Sequence, residues 1–313
     1  MKKQFAFVFP GQGSQSVGML SDLAQHFAVV QETFAEASEV FGRDMWQLAQ
    51  QGPEADLGKT EITQPIMLIA GVAAWRAWQA AGGAEPVLMA GHSLGEYTAY
   101  VCAESLSLAD GVRLVKKRGE LMRDACPNGA GKMAAIIGLE DDGIIECCAK
   151  AAQGEVVEAV NFNAPGQVVI AGHNLAVDRA IELCKEAGAK KAMPLAVSVP
   201  CHSELMKAAS EELGLALENV AFGDPSIGVV NNVDANVELD VALIKQKLIK
   251  QLYSPVRWVE SVNYMASKGV TATVECGPGK VLSGMNKRIV RGLELVNLQD
   301  FAAFEKAMEL TRE

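Results

Sequence analysis

The chain has 313 residues, 50% of them hydrophobic and 21% charged, with a formal net charge of −10. This composition supports a sizeable core and excludes a disordered chain, and the acidic balance argues against nucleic acid as the main partner. No stretch approaches transmembrane length, and the apolar run Phe5–Phe9 is too short for a signal-peptide core, so no membrane association is expected. Seven cysteines without a C-x-x-C pair read as reduced, mostly buried thiols in a cytoplasmic protein. Cys147 and Cys148 are adjacent in a helical pattern, and the four histidines have no metal spacing, so no metal is expected.

In chain order, Phe5–Phe9 reads as the first strand, followed by the loop Pro10-Gly11-Gln12-Gly13-Ser14-Gln15-Ser16. A dinucleotide fingerprint fails there, because Ser16 occupies the third glycine position. What survives is a loop whose backbone can approach a ligand. Leu23, Phe27, Val30, Phe34 and Phe41 predict an amphipathic helix over about residues 20–42, and Thr63–Ala81 a second helix with an early Pro65.

The stretch from Val87 to Ala103 organises the chain. Val87–Ala90 reads as a buried strand, Gly91-His92-Ser93-Leu94-Gly95 as one sharp turn, and Glu96–Ala103 as a helix. Strand, G-x-S-x-G turn and helix form the nucleophile-elbow pattern. The turn strains the serine, and small flanking residues let strand and helix approach. The hydroxyl of Ser93 then stands clear beside a helix amino terminus. The next helix starts near Ser107 or Asp110 and runs to Cys126-Pro127. Within it Arg118 shares a stripe with Leu114, Val115, Leu121 and Met122, at spacings of three and four. Lys116 lies about 200° away from it, so Arg118 faces the core.

A different rhythm begins near residue 128. Met133–Ile137, Val156–Phe162, Val168–Ala171 and Lys191–Val199 are strand-like, and Asp141–Ala152 and Asn174–Ala187 are helical. The order βαββαβ is that of a split ferredoxin-like unit. The expected architecture is therefore a large α/β-hydrolase-like domain, residues 1–127 and 200–313, with a mostly parallel sheet. A small ferredoxin-like domain, residues 128–199, is inserted in it. The large domain resumes with Pro200-Cys201-His202-Ser203, then a strand Ile227–Val230 and a turn at Asn231-Asn232. Helices Val241–Leu252 and Val256–Ser267, a strand Thr271–Cys276, a basic helix Lys280–Arg291 and a tail helix Phe301–Leu310 complete it.

A serine nucleophile needs a base, and elimination selects His202. His92 follows the strand beside Ser93 and points elsewhere, His173 lies in the insertion, and His26 has no polar company. Cys201 reads as a small packing residue. No third acid is visible, and the hydrolase order Ser…Asp/Glu…His stays open at this point. Oxyanion stabilisation needs two N–H groups. Leu94 supplies one, and the loop at Gln12 the other if the first strand neighbours the elbow strand.

Together, Phe9-Pro10-Gly11-Gln12-Gly13-Ser14-Gln15, Gly91-His92-Ser93-Leu94-Gly95-Glu96, Arg118-Gly119, Asn161-Phe162-Asn163 and His202 resemble the free-standing bacterial malonyl-CoA:acyl-carrier-protein transacylases. The resemblance spans Phe5 to about Arg288. It implies that Ser93 is acylated and that His202 is the base, with its other nitrogen held by the main-chain carbonyl of Gln251. It further implies that Arg118 binds the malonyl carboxylate, and that Gln12 and Leu94 form the oxyanion hole. One departure is Cys201, where the free-standing enzymes usually have serine before the histidine. The implied activity is ping-pong malonyl transfer from malonyl-CoA to the phosphopantetheine thiol of acyl carrier protein, supplying fatty acid synthesis without a tightly bound cofactor. An acidic carrier protein would dock on Lys190, Lys191, Lys287, Arg288 and Arg291. A serine thioesterase or esterase is the competing enzyme reading, and a nucleotide-binding module using residues 11–16 is the competing non-enzymatic one. Arg118 discriminates against the esterase, and the broken glycine fingerprint counts against the nucleotide module.

Overall fold

The computed structural model describes residues 3–197 and 199–312. Its strands, in chain order, are β1 (Phe5–Phe9), β2 (Leu88–Gly91), β3 (Gly131–Ile137), β4 (Val157–Ala164), β5 (Gln167–His173), β6 (Lys191–Pro194), β7 (Val229–Val230), β8 (Ala272–Glu275) and β9 (Glu294–Asn297). Five form one sheet in the order β7-β2-β1-β8-β9, every pair parallel. β1 lies at its centre and is buried along its whole length. Its alternating side chains feed both faces. Phe7 packs edge-on against Trp75 and Trp78 of the helix Thr60–Ala80, at 5.1 and 5.2 Å between ring centres. Ala6 and Val8 point the other way, into a core with Trp258 and Val262 of the helix Trp258–Ser267.

The second sheet runs β4-β5-β3-β6, all antiparallel. Helices Asp141–Ala152 and Asn174–Glu186 bury one face with Ile136, Ile144, Val168 and Ile170. The other face carries Met133, Val160, Val169 and Ala171, against which Val197 and Cys201 pack. That face carries no helix, and through Met133 it reaches the cavity beside Ser93. A short seam joins the two units, with Phe162 N–H donating to Val256 O (3.0 Å) and Val256 N–H to Val160 O (2.8 Å).

Several boundaries differ from expectation. The helix expected over residues 20–42 is two, Ser21–His26 and Ala28–Phe41, because Phe27 is extended at φ −131 and ψ 105. The strand expected over Lys191–Val199 includes Ser198, which lies outside the described residues. β6 itself ends at Pro194, a residue with no N–H to give to a ladder. The edge strand β9 was not expected. It pairs with β8 although Leu295 and Val296 are its only apolar residues.

Candidate active site

β2 ends at Gly91, and the helix Leu94–Cys102 begins three residues later, with Ser93 as its N-cap at φ 52 and ψ −108. A β-carbon at Gly91 would collide with the carbonyl carbon of Gly95, and one at Gly95 with the carbonyl oxygen of Phe9. The two glycines thus have a steric reason, which is to bring strand, helix and neighbouring β1 into backbone contact. β1 pairs with β2 from Ala6 to Phe9, so its loop arrives beside the elbow. A β-carbon at Gly11 would stand 2.6 Å from His92 O. Gln12 and Leu94, the expected oxyanion donors, accordingly line the same cavity as Ser93. The N–H of Leu94, first in its helix, has no acceptor within that helix.

His202 is 2% exposed and has φ 64. Its Nε2 lies 2.7 Å from Ser93 Oγ, and its Nδ1 lies 2.8 Å from the main-chain oxygen of Gln251. A carbonyl can only accept, so Nδ1 carries the proton and Nε2 presents its lone pair to the serine hydroxyl. Burial first, and then the adjacent Arg118 charge, push this imidazole down to about 3. The ring is therefore neutral near pH 7.

Arg118 is 1% exposed, although it lies in a basic run on the surface helix Leu108–Ala125. Its Nη1 donates to Gln64 Oε1 (2.7 Å), and its Nη2 to Ser93 Oγ (3.1 Å) and Gln251 Oε1 (3.0 Å). Nε is buried without a partner among the described residues. No carboxylate pairs with this cation there either, which is unusual for a buried charge. The cavity holding these groups has a volume of about 130 Å³ and is walled by Met122, Met133, Leu195 and Val197. That is well below the roughly 300–1,000 Å³ of drug-sized sites, so it suits a short acyl group. A larger open depression of about 760 Å³, beside Glu39 and Trp46, contains none of these residues.

Sequence reasoning passed over a second layer. Asn232 accepts from Ser93 N–H through Oδ1 (2.7 Å) and donates from Nδ2 to Gly91 O (2.7 Å), bracing both sides of the turn. Glu96 accepts from Asn232 N–H (2.9 Å) and Gln251 Nε2 (2.8 Å), and burial pushes its carboxyl up to about 7. Serine followed three residues later by glutamate spells a capping box, a local signal that could have singled out Glu96.

The other histidines do not reach the Ser93 hydroxyl, although His92, expected to point away, lines the same cavity. His92 Nε2 bonds Asn163 Oδ1 (2.8 Å), His173 Nδ1 accepts from Val156 N–H (3.0 Å), and His26 stacks on Phe301. Cys201 stands at the cavity wall with its thiol directed to Val199 O, and burial pushes that thiol up to about 11. It is a poor nucleophile there. Lys190, Lys191, Lys287 and Arg291 are exposed and form no ion pair among the described residues. Arg288 is exposed too, but it bonds the β4–β5 turn through Pro165 O and Gln167 Oε1, tying the helix Val281–Ile289 to the second sheet.

The acyl transferase domain model matches residues 6–300. The chain is 55% identical over 305 residues, 97% of its length and 99% of the relative's, to the malonyl CoA-acyl carrier protein transacylase of Salmonella typhimurium. Among solved structures, an acyl carrier protein S-malonyltransferase from Vibrio cholerae superposes with a TM-score of 0.96 at 57% identity, covering 97% of this chain and 99% of the other. A malonyl-transacylase in complex with its type II PKS acyl-carrier protein gives a TM-score of 0.97 at 54% identity, covering 98% and 99%.

Proposed function

The chain belongs to the acyl transferase family, and on that premise we propose that it moves the malonyl group of malonyl-CoA to the phosphopantetheine thiol of an acyl carrier protein through a malonyl ester on Ser93. One observation carries the reading. A single serine hydroxyl is shared by a neutral imidazole and a buried guanidinium that lacks a carboxylate, inside a space sized for a short acyl group.

In the first half-reaction Ser93 Oγ attacks the thioester carbonyl while His202 Nε2 takes the hydroxyl proton. Charge gathers on the carbonyl oxygen, where the main-chain N–H groups of Gln12 and Leu94 stabilise it. The carbon–sulfur bond then breaks, and the coenzyme A thiolate leaves with the proton from His202. In the second half-reaction His202 deprotonates the carrier thiol, which attacks the ester, and Ser93 recovers its proton. Throughout, the malonyl carboxylate rests on Arg118, whose planar fork fits it and whose Nε–H is free to donate. Neutralising Arg118 in this way also relieves the repulsion that holds down the basicity of His202. The chain supplies nucleophile, base and charge stabilisation itself, so the reading uses no bound cofactor beyond the substrate. A hydrolase would have no use for the buried cation.

The acidic carrier protein docks on a basic strip spanning both units. Lys190 packs on Gly138, Gly138 N–H donates to Gly166 O, and Arg288 bonds the adjoining Pro165 and Gln167, so Lys190 and Arg288 flank one turn. Lys191, Lys287 and Arg291 extend it. We place the protein in the cytoplasm, supplying extender units for fatty acid synthesis. Seven free thiols support a reducing compartment, and among the described residues no helix is long and apolar enough to cross a membrane.

Intact-mass analysis after brief incubation with malonyl-CoA tests the core of this. The wild type should gain one malonyl group and lose it on adding carrier protein, whereas Ser93→Ala should gain none. An adduct on Ser93→Ala, or one mapped to Cys201, would overturn the assignment.

A further inference from the structure

Glu96 is wholly buried, yet the chemistry above does not use it. A carboxyl group without solvent needs compensation, and its partners reveal its use. In a capping box it would reach back to the N–H of its own N-cap residue. Here that N–H is taken, because Ser93 donates it to Asn232. Glu96 instead bonds two distant segments through one oxygen, Oε2, while Oε1 has no partner among the described residues.

Gln251 is the hub that Glu96 reaches. Its main-chain oxygen accepts from His202 Nδ1–H, its Oε1 accepts from Arg118, and its Nε2 donates to both Glu96 and Ser93 O, the latter at 3.0 Å. A side-chain amide can sit either way round, and the flipped form would turn its NH2 toward the guanidinium. An oxygen that only accepts removes that ambiguity. The same Oε2 holds the backbone of Asn232, whose side chain clamps Ser93 N–H and Gly91 O.

We infer that Glu96 is a positioning residue for acyl transfer, setting the orientation of Gln251 and Asn232, and through them that of Arg118 and the Ser93 turn, without touching the acyl group. The inference rests on the reading of Ser93, His202 and Arg118 given above, and the mass adduct on Ser93 tests that reading separately.

The experiment measures malonyl-serine and acetyl-serine formation by rapid quench for wild type, Glu96→Ala, Glu96→Gln, Gln251→Leu and the double variant Glu96→Ala/Gln251→Leu. Glu96→Ala should slow malonyl-serine formation on the order of 10–100-fold, the span expected for losing hydrogen bonds to a charged group. Acetyl-serine formation should fall less, since acetyl has no carboxylate for Arg118 to hold. Glu96→Gln keeps an accepting oxygen and should recover most of the loss. The double variant should lose less than the product of the two single losses, because both act through one amide. Wild-type rates in Glu96→Ala, independent multiplying losses, or no recovery in a folded Glu96→Gln would each overturn the inference. Should Glu96→Ala not fold, Gln251→Leu decides, since it removes the side chain joining Glu96 to Arg118. Wild-type rates and malonyl preference in that variant would equally overturn it.

Discussion

Removing Arg118 should erase the preference for malonyl over acetyl. In the free protein the guanidinium is held by three neutral acceptors, at 2.7 Å from Gln64, 3.1 Å from Ser93 and 3.0 Å from Gln251. Breaking a buried ion pair costs about 3–5 kcal/mol, but that figure assumes a charge left with nothing. With neutral acceptors already in place, the lower end applies, about 3 kcal/mol, which corresponds to roughly 100-fold. Acyl-serine formation from malonyl-CoA and acetyl-CoA, measured by quenched flow and intact mass, gives the ratio directly. Arg118→Ala should lower that ratio by about 100-fold, and Arg118→Lys should restore less than about tenfold, lacking the planar fork. Equal losses with both thioesters would leave that ratio unchanged and mean that Arg118 serves only the Ser93 hydroxyl. A variant keeping the wild-type ratio would mean that the carboxylate is held elsewhere, and the reasoning would fail.

Because His202 is pushed down to about 3, partly by Arg118, the acid limb of kcat/KM should lie at higher pH in Arg118→Ala than in wild type; an unmoved limb would separate the two groups. Glu96 is raised from 4.5 to about 7, so the folded state binds the extra proton between those values. Its contribution is present in full below pH 4.5 and is lost as pH rises through 7. Glu96→Gln should therefore gain stability over wild type on going from pH 4.5 to 8, by up to about 3 kcal/mol in denaturant titrations. Lys287→Glu should slow transfer to carrier protein while leaving malonyl-serine formation unchanged, whereas Arg288→Glu should disturb both, since it also severs the bonds to Pro165 and Gln167. Gly95→Ala should destabilise by about 3 kcal/mol or more in chemical denaturation, because its β-carbon would meet the backbone of Phe9.

The local pieces of this site were legible in the chain. Glycine spacing around Ser93 marks a turn because the steric demand is set by residues four apart, and the helical stripe places Arg118 inward because side-chain direction follows from a 3.6-residue period. His202 emerged by elimination among four histidines. The order of elements likewise implied a parallel sheet and an antiparallel one, since alternating βα units and a βαββαβ run pair differently. Other features belonged to tertiary structure alone. The break at Phe27 and the pairing of β9 with β8 left no mark in the apolar spacing of their own segments. Gln251 reaches the site through its main-chain oxygen, a group every residue carries, so on this chain's residues alone nothing distinguishes it; only likeness to a family pointed there. Glu96 and Asn232 meet across 136 residues of chain, and Gln251 meets Ser93 across 158. Such contacts have no period and no spacing, because they are created when β1, β2 and β7 come together and carry their loops to one end of the sheet.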